Sequence, residues 1–289
     1  MTQASVKPKL QRFIDAERWF ACPLCSEVLQ FDASNGHALV CSNHHCFDLA
    51  KQGYANLEPH AKTSEVYSRA NFEQRGRILE AGYYAHVLNA VARALQKTGH
   101  TAGAVLDAGC GEGYYARAIA QQFSDADVLA FDLSKQSVQL AAREDADCAV
   151  RWFVGNLMNL PIQNERISTL LNVFSPANYS EFNRVLEPDA VVVKVVPGSQ
   201  HVHELRELAA GKGLVRQRDY SNEQVVDAFA EHYSIVSRET VSQTFAMPAD
   251  DVLAFAQMTP LLFHVDLDEL DLTQVHEVTV EAEVLVGRN

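Results

Sequence analysis

The sequence predicts a doubly wound α/β sheet preceded by a small cysteine-rich module, and three observations carry that prediction. Short apolar runs alternate with helical stretches from residue 104 onward; a glycine-rich turn, "DAGCGEGYY", follows the first of those runs; and four of the six cysteines crowd into residues 22–46. With 289 residues, 47% of them hydrophobic, the chain suffices for one large domain or for an ordinary domain carrying a small second one.

The first twenty residues scatter Lys7, Lys9, Arg12, Asp15, Glu17 and Arg18 with no continuous apolar stretch, and no later apolar run approaches the roughly 18 residues a membrane span needs. The chain therefore reads as soluble and cytoplasmic. In a reducing compartment, crowded cysteines point to metal before disulfide. Cys22 and Cys25 form one Cys-x-x-Cys knuckle, and after fifteen intervening residues come Cys41, His44, His45 and Cys46. Between them "LQFDASNGHALVC" reads as two short strands around the turn Ser34-Asn35-Gly36, Asn-Gly being the strongest hairpin signal. Two knuckles on a hairpin bring four ligands together at tetrahedral zinc distances. Spacing leaves the fourth ligand open among His44, His45 and Cys46. A redox Cys-x-x-Cys is the alternative, but no βαβ pattern surrounds the pair and a second knuckle follows. Some forty residues hold too little core to fold alone, so zinc supplies most of the stability, on the order of 10–16 kcal/mol in comparable small sites.

A helical pattern runs from residue 67 to 96. Apolar runs then fall at 104–107, 128–132, 150–155, 168–174, 190–196, 233–241 and 277–286, with helical stretches at 114–122, 135–143, 179–186, 201–210 and 250–257. This spacing gives βαβ units and a parallel sheet. The last two runs alternate in polarity, which predicts an edge strand, antiparallel to its neighbour.

Asp107 ends the first strand, and Gly109, Gly111 and Gly113 lead into the helix that starts at Tyr114. A dinucleotide fingerprint requires G-x-G-x-x-G, but Tyr114 occupies the place of its third glycine, and Glu112 puts negative charge where a pyrophosphate would lie. The pattern D-x-G-x-G-x-G resembles instead the cofactor loop of class I (Rossmann-like) methyltransferases, which bind S-adenosylmethionine, a cation without phosphates. Asp132, at the end of the second strand, stands where a carboxylate takes both ribose hydroxyls. Asn156, after the third strand, stands where such enzymes place an Asp or Asn against the adenine.

The formal net charge is −13, the wrong sign for a polyanion partner, but it is unevenly placed. Up to Arg77 there are nine Lys/Arg against eight Asp/Glu; beyond it there are fifteen against twenty-nine. A polyanion would dock mainly through the N-terminal part.

"CPLC", "HCFDLAKQGYANL", "ILEAGYY", "VLDAGCGEGYY", "FDLSK", "VVPGSQH" and "MTP", in this order, resemble the RlmA family of 23S ribosomal RNA guanine-N1 methyltransferases over nearly the whole chain. The resemblance implies zinc ligands at Cys22, Cys25, Cys41 and His45, and cofactor contacts at Tyr84, Gly111, Glu112 and His201. It also implies a zinc-binding, RNA-recognising domain over 1–62, a class I methyltransferase domain over 63–289, and a homodimer. RNA contacts are then expected from the zinc module and from the helix 67–84 with Arg69, Arg75 and Arg77. Phe174, at the end of the fourth strand in "NVFSP", stands either as a core residue or as a platform for the guanine. No carboxylate in that segment is available to take the guanine N1 proton, so no catalytic base is assigned. In one departure, "LEPDAVVV" replaces the family's Pro-Gly-Gly turn before the fifth strand. Two rival readings remain: a methyltransferase for a small molecule or protein with a purely structural zinc module, and a non-catalytic zinc-ribbon binding protein.

Overall fold

The computed structural model describes residues 6–34, 37–59, 69–215 and 220–289. In chain order its elements begin with α1 (Pro8–Gln11), β1 (Gln30–Asp32), β2 (Ala38–Val40), β3 (Cys46–Asp48), β4 (Tyr54–Asn56), α2 (Arg69–Glu80) and α3 (Ala85–Thr98). There follow β5 (Gly103–Ala108), α4 (Tyr114–Gln122), β6 (Ala126–Asp132), α5 (Lys135–Glu144), β7 (Val150–Val154), β8 (Ile167–Val173) and α6 (Tyr179–Val185). Last come β9 (Leu186–Pro197), α7 (His203–Gly211), α8 (Glu223–Ala230), β10 (Ser234–Ala246), α9 (Ala249–Met258) and β11 (Glu277–Arg288). The chain forms two compact units, one of Met1–Thr63, Thr98–Val192 and Asn289, the other of Ser64–Lys97 and Val193–Arg288.

In the first unit β1, β2 and β3 make a small antiparallel sheet, with Gln30 opposite Val40 and Asp32 opposite Ala38. That register confirms the two strands expected on either side of the turn; Asn35 and Gly36 themselves lie outside the described residues. The large sheet runs β4-β7-β6-β5-β8-β9 in this unit, and the pairs β4–β7, β7–β6, β6–β5 and β5–β8 are parallel. From β5 the chain winds outward through β6 and β7, then returns to the other side of β5 with β8. The switch point therefore lies between β5 and β8, where α/β sheets open a crevice at the strands' carboxyl ends. The strands are buried on both faces: Leu106, Leu129, Trp152, Phe153 and Leu170 are wholly inaccessible. Each such side chain stabilises the sheet by roughly 1.5–3 kcal/mol.

The N-terminal arm is fastened to this sheet. Arg12 and Asp145 form an ion pair of 2.8 Å with side chains 3% and 4% exposed, and Asp145 also accepts from Trp152 Nε1 at 2.9 Å and from the Val150 amide at 3.2 Å. Phe20 meets Phe153 edge-on at 5.3 Å, and Phe153 stacks on Phe131. Arg151 lies over the Trp19 ring at 4.2 Å while paired with Asp15 and Asp127.

In the second unit the helical pattern read over residues 67–96 divides into two helices; Tyr67 lies outside the described residues. Gly82 takes φ +88° and donates to the Leu79 carbonyl, the left-handed cap that ends α2, and α3 starts afresh at Ala85. The strand order here is β9-β11-β10, with β10 and β11 antiparallel. The expected edge strand is β10, exposed along most of its length, while β11, equally alternating in sequence, is buried between β9 and β10. Helix α7 begins at His203, two residues later than expected, because Val202 takes a left-handed conformation (φ +47°). Among the described residues no helix is long and apolar enough to cross a membrane.

Candidate active site and metal centre

The metal centre is built by two tight knuckles. In the first, the Cys22 amide donates to the Glu27 carbonyl at 2.7 Å and the Ser26 amide to the Cys22 carbonyl at 2.8 Å. In the second, the Cys41 amide donates to the His45 carbonyl at 3.1 Å, with His44 at the left-handed corner (φ +62°). Cys22, Cys25, Cys41 and His45 bring one ligand atom each within 4.8 Å of one another. Tetrahedral zinc with Zn–S near 2.3 Å and Zn–N near 2.0 Å requires edges of about 3.8 Å between sulfurs and about 3.5 Å from sulfur to nitrogen. The structure gives 3.7 Å for Cys25–Cys41, and 3.4, 3.3 and 3.5 Å from His45 Nδ1 to Cys22, Cys25 and Cys41. The site therefore fits zinc, with Nδ1 as the histidine ligand. Cys46 is exposed on β3, and it and His44 lie outside this cluster. Burial pushes the Cys22 thiol up to about 11, whereas the Glu27 amide holds Cys25 down to about 6; a cation lets both ionise.

At and just beyond the end of β5 lie two buried carboxylates, Asp107 at 1% exposure and Glu112 at 5%. Gly109, Gly111 and Gly113 all take positive φ, of 83°, 56° and 83°. At Gly113 no side chain fits: a Cβ would lie 2.8 Å from Trp152 Cζ3 and 2.9 Å from Ala141 Cβ. The loop is tied to β6 by the Gly109 and Cys110 amides, both donating to the Phe131 carbonyl at 3.0 and 2.9 Å. Asp132 holds it as well, accepting from the Gly111 amide at 3.0 Å and from the Ser134 amide at 2.8 Å. A carboxylate accepts about four hydrogen bonds, so orientation by two amides is compatible with receiving two ribose hydroxyls. Buried acids, close backbone and an oriented carboxylate suit a cationic nucleoside better than a pyrophosphate. Asn156 opens the loop after β7, its Oδ1 accepting from the Met158 amide at 3.0 Å.

Two expected cofactor residues, Tyr84 and His201, come together in the second unit. His201 Nδ1 accepts from the Glu281 amide at 3.3 Å, which places the proton of the neutral imidazole on Nε2, 3.4 Å from Tyr84 Oη. Burial lowers the His201 pKa to about 4 and pushes the Tyr84 phenol well above its ordinary value. The pair is thus a neutral, hydrogen-bonded couple, with Tyr84 stacked on Phe255.

Beside the glycine loop, the buried Asn172 donates through Nδ2 to the carbonyls of Ala108 (3.3 Å) and Pro176 (2.9 Å). It pins a turn in which Phe174 takes φ +50°, a conformation that costs a bulky residue about 1–2 kcal/mol. Phe174 is half-buried.

Comparison with known proteins agrees with this geometry. A family model described as "Methyltransferase domain" matches residues 105–189, and one described as "RlmA, N-terminal" matches residues 20–65. A Bacillus subtilis (strain 168) protein, YxjB, named as a candidate 23S rRNA (guanine-N(1)-)-methyltransferase, is 32% identical over 93% of this chain and 96% of its own. The 23S rRNA (guanine(748)-N(1))-methyltransferase of Streptomyces fradiae is 32% identical over 94% of this chain and 97% of its own. The chain belongs to the RlmA family of rRNA guanine-N1 methyltransferases.

At "LEPDA", before β9 enters the sheet core, Asp189 takes φ +64°, a conformation a short polar side chain tolerates. The arginines expected to face RNA are partly committed elsewhere. Arg77 pairs with Asp251 at 2.5 Å, and the same carboxylate accepts from Tyr83 Oη at 2.7 Å; the side chain of Arg69 lies outside the described residues. Sequence reasoning also missed Glu281, whose amide sets the His201 tautomer, and Lys194, a buried lysine on β9 whose pKa desolvation lowers to about 8. A lone Lys in an apolar run was the only available signal for Lys194.

Proposed function

We propose that the chain methylates N1 of a guanine in a hairpin loop of 23S rRNA, with S-adenosylmethionine held in the glycine-lined crevice. What carries the reading is the match, across 93–94% of the chain, to relatives named for that reaction. When bound, the cofactor supplies an electrophilic methyl group on a sulfonium. Asp132, Asn156 and the glycine-loop backbone would hold it, and it would supply the methyl group that guanine N1 receives. The protein's task is to bind, orient and exclude water.

In this reading Asp132 takes the ribose hydroxyls and Asn156 meets the adenine. The Gly109–Gly111–Gly113 backbone admits the cofactor, and the carboxylates of Asp107 and Glu112 favour its positive charge. Tyr84 and His201 contact the cofactor as the resemblance implies. Residues 1–62 recognise RNA, residues 63–289 form the methyltransferase domain, and the protein works in the cytoplasm as a homodimer. Arg75 contributes to RNA binding; no base is assigned.

One observation favours the rival in which the zinc module is structural: residues 20–58 carry Glu27, Asp32, Asp48 and Glu58 against the single Lys51. Mass-spectrometric mapping of N1-methylguanosine in 23S rRNA decides between them. Cells lacking the protein should lose one methylated position and regain it with the wild-type chain but not with Asp132→Asn. Identical rRNA in both strains would overturn the assignment.

A further inference from the structure

The loop that carries Asn156 is strung between three supports in the first unit. At its start the Gly155 amide donates to the Asp132 carbonyl at 3.2 Å. On one flank α6 grips it: Asn178 Nδ2 donates to the Leu157 carbonyl at 2.9 Å, Glu181 accepts from the Leu160 amide at 2.7 Å, and Arg184 donates to the carbonyls of Leu160 and Ile162 at 2.8 and 2.7 Å. On the other flank lies the first zinc knuckle. The Ala21 amide donates to the Pro161 carbonyl at 3.1 Å, the Gln163 amide to the Trp19 carbonyl at 2.8 Å, and Phe20 faces Ile162 in an antiparallel bridge. Asn159 Nδ2 then reaches the Pro23 carbonyl at 3.2 Å, and Pro23 sits between the ligands Cys22 and Cys25.

We propose that the zinc-held knuckle is a positioning element for the cofactor pocket, fixing the Asn156 loop through Pro23, Ala21 and Asn159 so that metal occupancy sets cofactor affinity even without RNA. Cys22 and Cys25 fix the backbone of Pro23 only while both bind one ion; released, the knuckle no longer holds its flank of the loop, while α6 still holds the other. The loop then samples positions in which Asn156 is displaced from Asp132, and cofactor binding must bear the cost of reordering it. Asn159 is thus a positioning residue that touches no reactant. The inference rests on the reading that S-adenosylmethionine occupies the crevice.

Calorimetric titration of the full chain with S-adenosylhomocysteine, without RNA, tests it. Zinc-free protein is expected to bind about tenfold more weakly than zinc-loaded protein, a typical size for coupling between sites. Asn159→Asp, isosteric but unable to donate to Pro23, is expected to weaken binding about threefold, the equivalent of one hydrogen bond. That variant should keep full zinc content and an unchanged unfolding midpoint, and should raise KM for S-adenosylmethionine without lowering kcat. If zinc removal unfolds the whole chain, Asn159→Asp decides alone. Wild-type affinity in that variant, or in a folded zinc-free chain, would overturn the coupling. Failure of zinc-loaded wild type to bind at all would instead overturn the cofactor reading.

Discussion

The hairpin β1–β3 and the parallel strands β5–β8 belong to one compact unit, yet different forces hold them. In the hairpin three of nine strand residues are buried, whereas in β5–β8 the figure is nineteen of twenty-five. The hairpin cannot recover its ordering entropy from apolar burial and relies on four ligands around one ion; the sheet relies on packing. The contrast teaches that the metal acts locally, and that the bonds joining residues 19–23 to 159–163 link its knuckle to the loop that carries Asn156.

The largest expected effect comes from removing the metal. Cys41→Ser, or strong chelation, should abolish zinc binding and with it on the order of 10 kcal/mol of local stability. Hydrogen exchange should show β1–β3 losing protection while β5–β8 keep theirs; equal loss in both would erase the contrast. Next comes Arg12→Ala, which leaves the buried Asp145 carboxylate without its ion-pair partner and should cost about 3–5 kcal/mol in denaturant unfolding. Here the expected loss falls on the sheet, with zinc content unchanged.

Gly113→Ala tests the packing-held region more finely. A methyl group against Trp152, at φ +83°, should cost about 3 kcal/mol through overpacking and a strained backbone. A pH-dependent effect in the second unit, reaching the size of the Gly113 effect only near pH 4 and smaller above it, is a control for both regions. His201 has a folded pKa of about 4 against an ordinary 6.5, so in this window the unfolded chain binds the extra proton and stability rises with pH. The contribution is complete above pH 6.5 and lost as pH falls toward 4, up to about 3 kcal/mol. His201→Gln should flatten that slope in pH-dependent unfolding while leaving the zinc hairpin and β5–β8 as they were.

Much of the first unit was legible because its signals are local. Helix α4 occupies the predicted residues 114–122, since Gly113 marks its start and Tyr115, Ala116 and Ile119 form its buried stripe. The glycine turn, Asp132 and the two-strand zinc hairpin are likewise written in short stretches. What escaped depends on distant partners or on strands too short to show a period. Strand β4 has three residues and exists only because β7 lies alongside. Helix α8 was missed altogether, and no sequence signal placed the break between α2 and α3 at Gly82, two residues before the expected helix end. The pairing of Arg77 with Asp251, 174 residues away, is likewise invisible to local reasoning. For the same reason nothing near His201 announced the Glu281 amide that fixes its tautomer.

The most direct measurement is calorimetric titration of the zinc-loaded chain with S-adenosylhomocysteine and, separately, with NAD, repeated on Asp132→Asn. The expected result is one S-adenosylhomocysteine bound per chain and no NAD, with affinity falling about tenfold or more in the variant as charge-assisted hydrogen bonds to the ribose are lost. Binding of NAD in its place, or an Asp132→Asn chain that binds S-adenosylhomocysteine as tightly as wild type, would contradict an acid-lined crevice built for a cationic methyl donor.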